Sequence, residues 1–288
     1  MLEISEEEIK KILPNEGPSF DEVKKYLKKY NKEYIVIKCG GSVLSEQILF
    51  NNFIYDISIL NKLGFSPVVI HGGGKRISKE LKKSGIESKF ISGLRVTDKK
   101  SIAIVEKVLN IFNKEITNAL KANKCESVNI NNKENNILTV KQQNIELGFV
   151  GIPIQINQLI IEKIVKEKKV PVIAPLGLDK NNQVYNVNAD EVAGCIAKEL
   201  NARRLIIMSD VEGVLGKDKK LISEINSKMI SELINNNTIN GGMIPKIKNC
   251  IDVASNGVKG VCIIDGRVKS SILFELLSEK GSGTLIRE

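Results

Sequence analysis

Five short runs of nearly unbroken apolar, largely β-branched residues recur along this chain: "YIVIK" (34–38), "SPVVIH" (66–71), "VPVIAPL" (170–176), "RRLIIMS" (203–209) and "GVCIID" (260–265). A strand that is apolar at every position must be covered on both faces, which points to a mainly parallel sheet held between helices. Helical patterns fill the intervals, near 46–63, 75–84, 97–122, 157–168, 189–200 and 243–256. The stretch "SVNINNKENNILTVKQQNIELGFVGIPIQIN" alternates apolar and polar residues and reads as antiparallel hairpins. The expected fold class is therefore α/β: a three-layer α/β/α sandwich around a mainly parallel central sheet, with an antiparallel insertion. A length of 288 residues allows one large domain or two lobes with a sizeable core.

Residues 1–33 form a separate prelude. "SEEEIKKIL" reads as a short amphipathic helix, "PNEGPS" as a breaker, and "SFDEVKKYLKKYN" as a second helix capped by Ser19, with Glu22 in the capping-box position. Phe20, Val23, Tyr26, Leu27 and Tyr30 make one apolar stripe, which must rest either on this chain or on another subunit. Periodicity leaves both open.

Composition narrows the class further. The apolar fraction is 42%, with no run long enough to span a bilayer, and the opening "MLEISEEEIKK" carries neither a basic leader nor an apolar stretch. Five scattered cysteines, with one histidine and no CxxC pair, read as reduced thiols rather than metal ligands. We expect a cytoplasmic protein with no membrane attachment and no metal ligands of its own. The net charge of +9 is spread along amphipathic stretches without a nucleic-acid motif, so a solvated or anion-steering surface is expected rather than nucleic-acid binding.

The chemistry-bearing stretches lie at the ends of the predicted strands. "VVIHGGGKRIS" departs from a dinucleotide fingerprint because Ile77 stands where the third glycine is needed, and no acidic residue ends the next strand. No Walker-type G-x-x-x-x-G-K-[ST] occurs. What remains is a turn or an anion cradle of bare backbone N–H groups opening a helix. "YIVIKCGGSVL" ends in the same way, with Lys38 at the lip and Gly40 and Gly41 behind it. Ligands of open α/β sheets collect at the carboxyl ends of strands, so two such turns suggest one shared anion site. The alternative for Lys38 is a side chain snorkelling from a strand end.

Other candidates need company to carry meaning. Arg95 precedes a long helix that Thr97 is expected to cap; its guanidinium suits a carboxylate, or a local surface pair. Asn186 and Asp190 flank a helix start capped by Asn188, where an acid is also ordinary helix chemistry. Ser209 and Asp210 follow a strand and could meet a nucleotide. Gly241 and Gly242 precede a helix whose first turn holds Lys246, a cation opposing the helix dipole by about 0.3–1 kcal/mol. A nearby anion would make that placement tolerable, and phosphate fits.

In order and spacing, "IVIKCGGSVL", "VVIHGGGKRIS", "GLRVTD", "LGFVG", "PVIAPLG", "NVNADEVA", "SDVEGVL", "GGMIPKIKNC" and "GVKGVCIIDGRV" resemble the amino-acid kinase family over residues 34–288. The likeness is to the branch that phosphorylates N-acetyl-L-glutamate in the second step of arginine biosynthesis. The resemblance implies an acyl-amino-acid lobe (34–200) and an ATP lobe (201–288). Gly73, Gly74, Arg95 and Asn186 would hold the substrate. Lys38 and Lys246 would stabilise the transferring phosphoryl group, with Asp190 orienting both. Gly40, Gly41, Ser209, Asp210, Gly213, Val214, Leu215, Gly241, Gly242 and Met243 would face the nucleotide, and magnesium would arrive on the ATP phosphates.

The prelude resembles the extra helix of hexameric, arginine-inhibited members, so a homo-oligomer, dimeric and further hexameric, is expected. Cys262 and Lys280 stand where those members usually have histidine and glutamate, which implies weakened arginine binding. Alternatives within the family are a kinase for a carrier-bound aminoadipate or glutamate, and a silent amino-acid-sensing homologue. "GLRVTD" speaks against the first, and the joint presence of Lys38, Asp190 and Lys246 against the second.

Overall fold

The computed structural model describes residues 5–15, 17–30, 32–41 and 43–288. Within the extension 1–33, positions 1–4, 16 and 31 lie outside the described residues. In chain order the elements begin with α1 (Glu6–Ile12), α2 (Phe20–Tyr30), β1 (Tyr34–Cys39), α3 (Gln47–Lys62), β2 (Ser66–His71) and α4 (Gly74–Lys83). A two-residue ribbon, β3 (Phe90–Ile91) and β4 (Leu94–Arg95), leads into α5 (Lys99–Ala122) and β5 (Ser127–Ile130). Next come β6 (Leu138–Gln142), β7 (Val150–Ile156), α6 (Gln158–Lys166), β8 (Val170–Ile173), β9 (Leu176–Leu178), β10 (Val184–Val187) and α7 (Ala189–Glu199). The chain ends with β11 (Arg204–Ser209), β12 (Glu224–Asn226), α8 (Ser227–Asn235), α9 (Met243–Ser255), β13 (Val261–Asp265), α10 (Ser271–Leu277) and β14 (Gly283–Arg287).

One eight-stranded sheet runs through the molecule in the order β12-β14-β13-β11-β1-β2-β8-β5. Its pairings are parallel except β13 with β14. Four of the five predicted strands lie in it, with the first half of the fifth, and their apolar runs are explained by cover on both faces. Val36, Val68, Ile70, Leu205, Ile207 and Ile263 point into one apolar cluster, shared with α6, α7, α8 and α9. Ile35, Ile37, Val69, Ile206 and Ile264 point into the other, shared with α2, α3, α5 and α10. Each cluster takes residues from both sides of position 200, and β1 lies between β2 and β11. The two expected lobes are thus halves of one sheet.

Several expectations change. β5 was expected in a hairpin; instead it pairs in parallel with β8 and forms the edge of the main sheet, because buried Ile130 continues the core outward. The other two strands of that stretch, β6 and β7, join β9 and β10 in a small closed barrel, β10-β7-β6-β9. Its β6–β7 and β9–β10 pairs are antiparallel, but β7–β10 and β6–β9 are parallel. The predicted run 170–176 breaks after Ile173, sending β8 to the sheet and β9 to the barrel. Helices α8 and α10 were not foreseen.

The prelude folds onto its own chain. Ser5 and Glu8 close a capping box on α1, and Ser19 and Glu22 exchange the same hydrogen bonds at the start of α2. Val23, Leu27 and Tyr30 are buried in the cluster with α3 and α10. The stripe whose partner periodicity left open is therefore satisfied within the chain.

Candidate active site

Lys38 sits near the carboxyl end of β1, opposite Ile207 of β11 and Ile70 of β2. Side chains alternate along a strand, so Lys38 shares a face with Val36, the face covered by α7 and α9. Helix α7 starts there. Asn188 caps it by accepting from the Asp190 N–H at 2.8 Å, an arrangement worth about 1 kcal/mol. Asp190 is thereby held in the first turn, aimed at Lys38.

The Lys38 ammonium lies 2.7 Å from Asp190 Oδ1. Lys246, in the first turn of α9, donates to Asp190 Oδ2 at 2.9 Å. The Lys246 contact is a hydrogen bond, whereas that of Lys38 is an ion pair outside hydrogen-bonding angles. Burial alone would raise the Asp190 pKa; the charges of Lys38 and Lys246 outweigh it and hold the carboxyl well below the usual range. The first-turn cation that sequence reasoning matched to phosphate thus already has a protein anion. Asn249, three residues beyond Lys246 and so on its face of α9, donates to the Asp190 carbonyl at 3.2 Å. Nothing singled out Asn249 beforehand, although its spacing from Lys246 was available.

The two glycine turns meet as expected. A Cβ on Gly41 would lie 3.0 Å from the backbone nitrogen of Gly74 and 3.3 Å from the carbonyl carbon of Gly73, and one on Gly73 would lie 2.5 Å from Leu109 Cδ2. Only bare backbone allows loops this close. Gly40 and Gly72 N–H groups are occupied by Met208 and Cys39 carbonyls at 3.2 and 2.8 Å. Gly73 caps α4 without a side chain, and the first-turn N–H groups of a helix have no intrahelical acceptor.

Arg95 is buried beside these glycines. It donates to the Gly74 carbonyl at 3.0 Å, Ser78 Oγ at 2.9 Å and Ser88 Oγ at 2.5 Å, and the ring of Phe90 lies 4.7 Å from its guanidinium carbon. Among the described residues no carboxylate pairs with it. Burial lowers its pKa, but a guanidinium keeps its charge in proteins. A buried, uncompensated cation next to a helix N-terminus suits an anionic ligand.

Thr97 does not cap α5. Asp98 does, accepting from Lys100 and Ser101 N–H groups at 3.1 and 2.7 Å. The hydroxyl of buried Thr97 instead donates to the Arg95 carbonyl at 3.0 Å and receives a long contact of 3.4 Å from Asn186 Nδ2. Asn186, on β10, is therefore tied to the Arg95 segment and also leads directly into the Asn188 cap. A chain of hydrogen bonds runs from Gly74 through Arg95 and Thr97 to Asn186, two residues before the Asn188 cap that holds Asp190.

The nucleotide candidates divide. Ser209 ends β11 and Asp210 follows it at this same end of the sheet, with Asp210 exposed. Gly241 and Gly242 are exposed ahead of α9, with open space where a Cβ would go; Met243 packs partly against the core. Gly213 and Val214 serve the frame. Gly213 has φ of 143°, and a Cβ there would lie 2.6 Å from Thr284 Oγ1. Val214 is buried, with its N–H on Thr284 Oγ1 and its carbonyl taking the Ile222 N–H. Both pack against Thr284 of β14 and its neighbours. Leu215 is exposed beside them.

The only histidine, His71, is buried edge-on against Phe112 at 5.0 Å, with Nδ1 3.3 Å from the Gly72 carbonyl. Burial lowers its pKa to about 4. Among the described residues no group of three or more His, Cys, Asp or Glu could hold a metal ion, and no helix is long and apolar enough to cross a membrane.

Two lysines on one aspartate and a glycine-lined helix start agree with the class that the sequence defines: the chain belongs to the amino acid kinase family, whose sequence pattern it matches over residues 33–265. Within that family it is similar along its whole length to acetylglutamate kinases. The one from Pelagibacter ubique (strain HTCC1062) is 63% identical over 288 residues, covering 100% of both chains. That of Campylobacter fetus subsp. fetus (strain 82-40) is 42% identical, covering 91% of this chain and 94% of its own. Among solved structures, the fold is shared with an N-acetylglutamate synthase from Neisseria gonorrhoeae complexed with coenzyme A and N-acetyl-glutamate. That match has a TM-score of 0.85 at 22% identity, covers 93% of this chain, and spans 62% of the longer synthase.

Proposed function

We infer that this chain is an ATP-dependent carboxylate kinase that phosphorylates the γ-carboxylate of N-acetyl-L-glutamate, giving N-acetyl-L-glutamyl 5-phosphate for arginine biosynthesis. The observation that carries this reading is the convergence of Lys38 and Lys246 on the two oxygens of Asp190. It is supported by the acetylglutamate kinases to which the chain is similar.

The acceptor carboxylate is ionised at neutral pH, so the reaction needs no general base. A carboxylate oxygen attacks the γ-phosphorus, the bond to the β-phosphate bridging oxygen breaks, and ADP leaves with that electron pair. Catalysis is then positioning and charge stabilisation. Lys38 approaches from the sheet and Lys246 from α9, while Asp190 sets the spacing of both ammonium groups. Gly73, Gly74, Arg95 and Asn186 would hold the acceptor. Gly40, Gly41, Ser209, Asp210, Leu215, Gly241, Gly242 and Met243 would face the nucleotide. His71, buried and neutral, takes no part in proton transfer.

The fit to Mg-ATP follows from the donor set. Asp190 is already spanned by both lysines, so the protein offers the metal no ready cage, and magnesium would be held mainly by the phosphates. There it would neutralise charge on the transferring group.

We place the enzyme in the cytoplasm, in keeping with its five cysteines, all free thiols. We propose an oligomer, with α1 and α2 contributing their outer faces, since their apolar stripe is used internally. Weak arginine feedback is supported by Cys262, which is buried in the core and whose thiol burial pushes well above its ordinary range, and by exposed Lys280.

Incubation with Mg-ATP and a panel of acids, followed by hydroxylamine trapping of acyl phosphate, tests the assignment. Hydroxamate is expected with N-acetylglutamate and not with glutamate, aspartate or carbamate. Product from another acid alone would replace this reading. Arginine added to the same reactions is expected to inhibit weakly.

A further inference from the structure

The Arg95 guanidinium has five N–H donors, and three are spent on neutral oxygens. Both protons of one terminal nitrogen go to the Gly74 carbonyl and Ser78 Oγ; one proton of the other goes to Ser88 Oγ. Each bidentate grip on a carboxylate, end-on or side-on, needs a proton from the first of these nitrogens. Arg95 as held here cannot make such a grip unless Ser78 or Gly74 yields. The Gly74 carbonyl is backbone of the first turn of α4, whereas Ser78 offers a rotatable hydroxyl, so Ser78 is the partner able to move.

A hydroxyl that accepts from an arginine points its own proton elsewhere. Ser78 Oγ and Ser88 Oγ therefore each add an O–H donor beside the cation. They flank it from different elements, Ser78 from α4 and Ser88 from the segment before β3, and both are half-buried. Phe90 covers the guanidinium face while its ring remains 56% exposed, so this cover is carried on the outer ribbon.

We propose that Ser78 and Ser88 are positioning residues of the acceptor site: they aim Arg95 and, by exchanging its N–H groups for their own O–H groups, select acceptors that bear a second carboxylate. The proposal rests on the reading of the site as an N-acetylglutamate kinase. An acceptor lacking that second carboxylate gives Ser78 nothing to exchange with.

The test compares N-acetylglutamate with 4-acetamidobutyrate, which is the same molecule without its α-carboxylate. Steady-state rates by hydroxamate trapping and dissociation constants by calorimetry are measured for wild type, Ser78→Ala, Ser88→Ala, the double variant and Ser78→Thr. In the double variant, KM for N-acetylglutamate is expected to rise about tenfold with kcat within threefold. The preference for N-acetylglutamate over 4-acetamidobutyrate should fall by a similar factor, and Ser78→Thr should restore most of it. An unchanged preference overturns the proposal, as does an equal loss for both acceptors, which would mark a merely structural role. Failure of wild type to phosphorylate N-acetylglutamate would instead overturn the functional reading beneath it. Thermal unfolding of each variant identifies any that fail to fold; the threonine variant then carries the test.

Discussion

Lys246 donates to Asp190 Oδ2 at 2.9 Å, on the carboxylate oxygen that Lys38 leaves untouched. One aspartate thus sets the separation of two cations borne on different layers of the fold. On the proposed function, replacing either lysine by alanine removes charge stabilisation from the transferring group and leaves the residues around Arg95 in place. Lys38→Ala and Lys246→Ala are each expected to lower kcat at least tenfold, about 1.4 kcal/mol of barrier. KM for the acceptor should change less than threefold. Near-normal turnover in either variant would refute the assigned role.

Asp190→Asn keeps the shape and removes the charge. Two ammonium groups are then left facing each other in a mostly buried place, and breaking such a pair costs about 3 kcal/mol. The variant is expected to melt at lower temperature and to turn over slowly. A polyanion should partly replace the lost carboxylate, so a nonhydrolysable ATP analogue should raise the melting temperature of Asp190→Asn more than that of wild type. An equal or smaller rise would contradict the spacing role.

Folded His71 has its pKa lowered by burial to about 4, below its ordinary 6.5. Between those values the unfolded chain binds a proton that the folded chain refuses, so stability falls with falling pH. The loss approaches about 3 kcal/mol by pH 4. Denaturant titrations of His71→Gln between pH 7 and 4.5 should give a shallower slope than wild type. Parallel slopes would show that the ring is not held neutral.

Asp56 behaves in the opposite sense. It is buried on α3, with Oδ1 unpartnered, and burial raises its pKa to about 8. The folded state then keeps a proton that the unfolded chain releases above about pH 4. Stability from this group is full below that value and lost as pH rises through 8. Asp56→Asn, which retains an oxygen for the Ile272 N–H, should unfold at higher denaturant concentration than wild type at pH 8–9. Their order at pH 4 should be much closer. A variant less stable at pH 9 would sink the argument.

The chemistry of the site was readable wherever a residue broke a local rule. Lys38 ends an otherwise apolar strand, Lys246 opposes a helix dipole, and glycines follow two strands in succession; each needs an explanation that local structure does not supply. Ser78, Ser88 and Phe90 break no rule, since a serine in a helix or loop and an aromatic in a short ribbon carry no periodic signal. Only the folded chain brings them to Arg95. Thr97 and Asp98 show another limit: either residue can cap a helix, and which one does depends on the tertiary pull of Arg95 and Asn186 on the threonine. The sheet was legible because burial on both faces leaves long apolar runs. β5 was not, because "SVNI" at a sheet edge alternates as a hairpin strand does.

Strand β1 has a consequence for motion. It is hydrogen-bonded on one side to the strand that leads into the acceptor glycines and on the other to the strand that ends at Ser209. Neighbouring strands are fixed about 4.8 Å apart, so β2 and β11 are held in register with each other through β1. On the proposed reading, entry and sealing fall to exposed segments beside this floor: the Phe90 ribbon on the acceptor side and the glycine segment ahead of α9 on the nucleotide side. Each can then yield on its own, leaving the alignment of the strands beneath undisturbed.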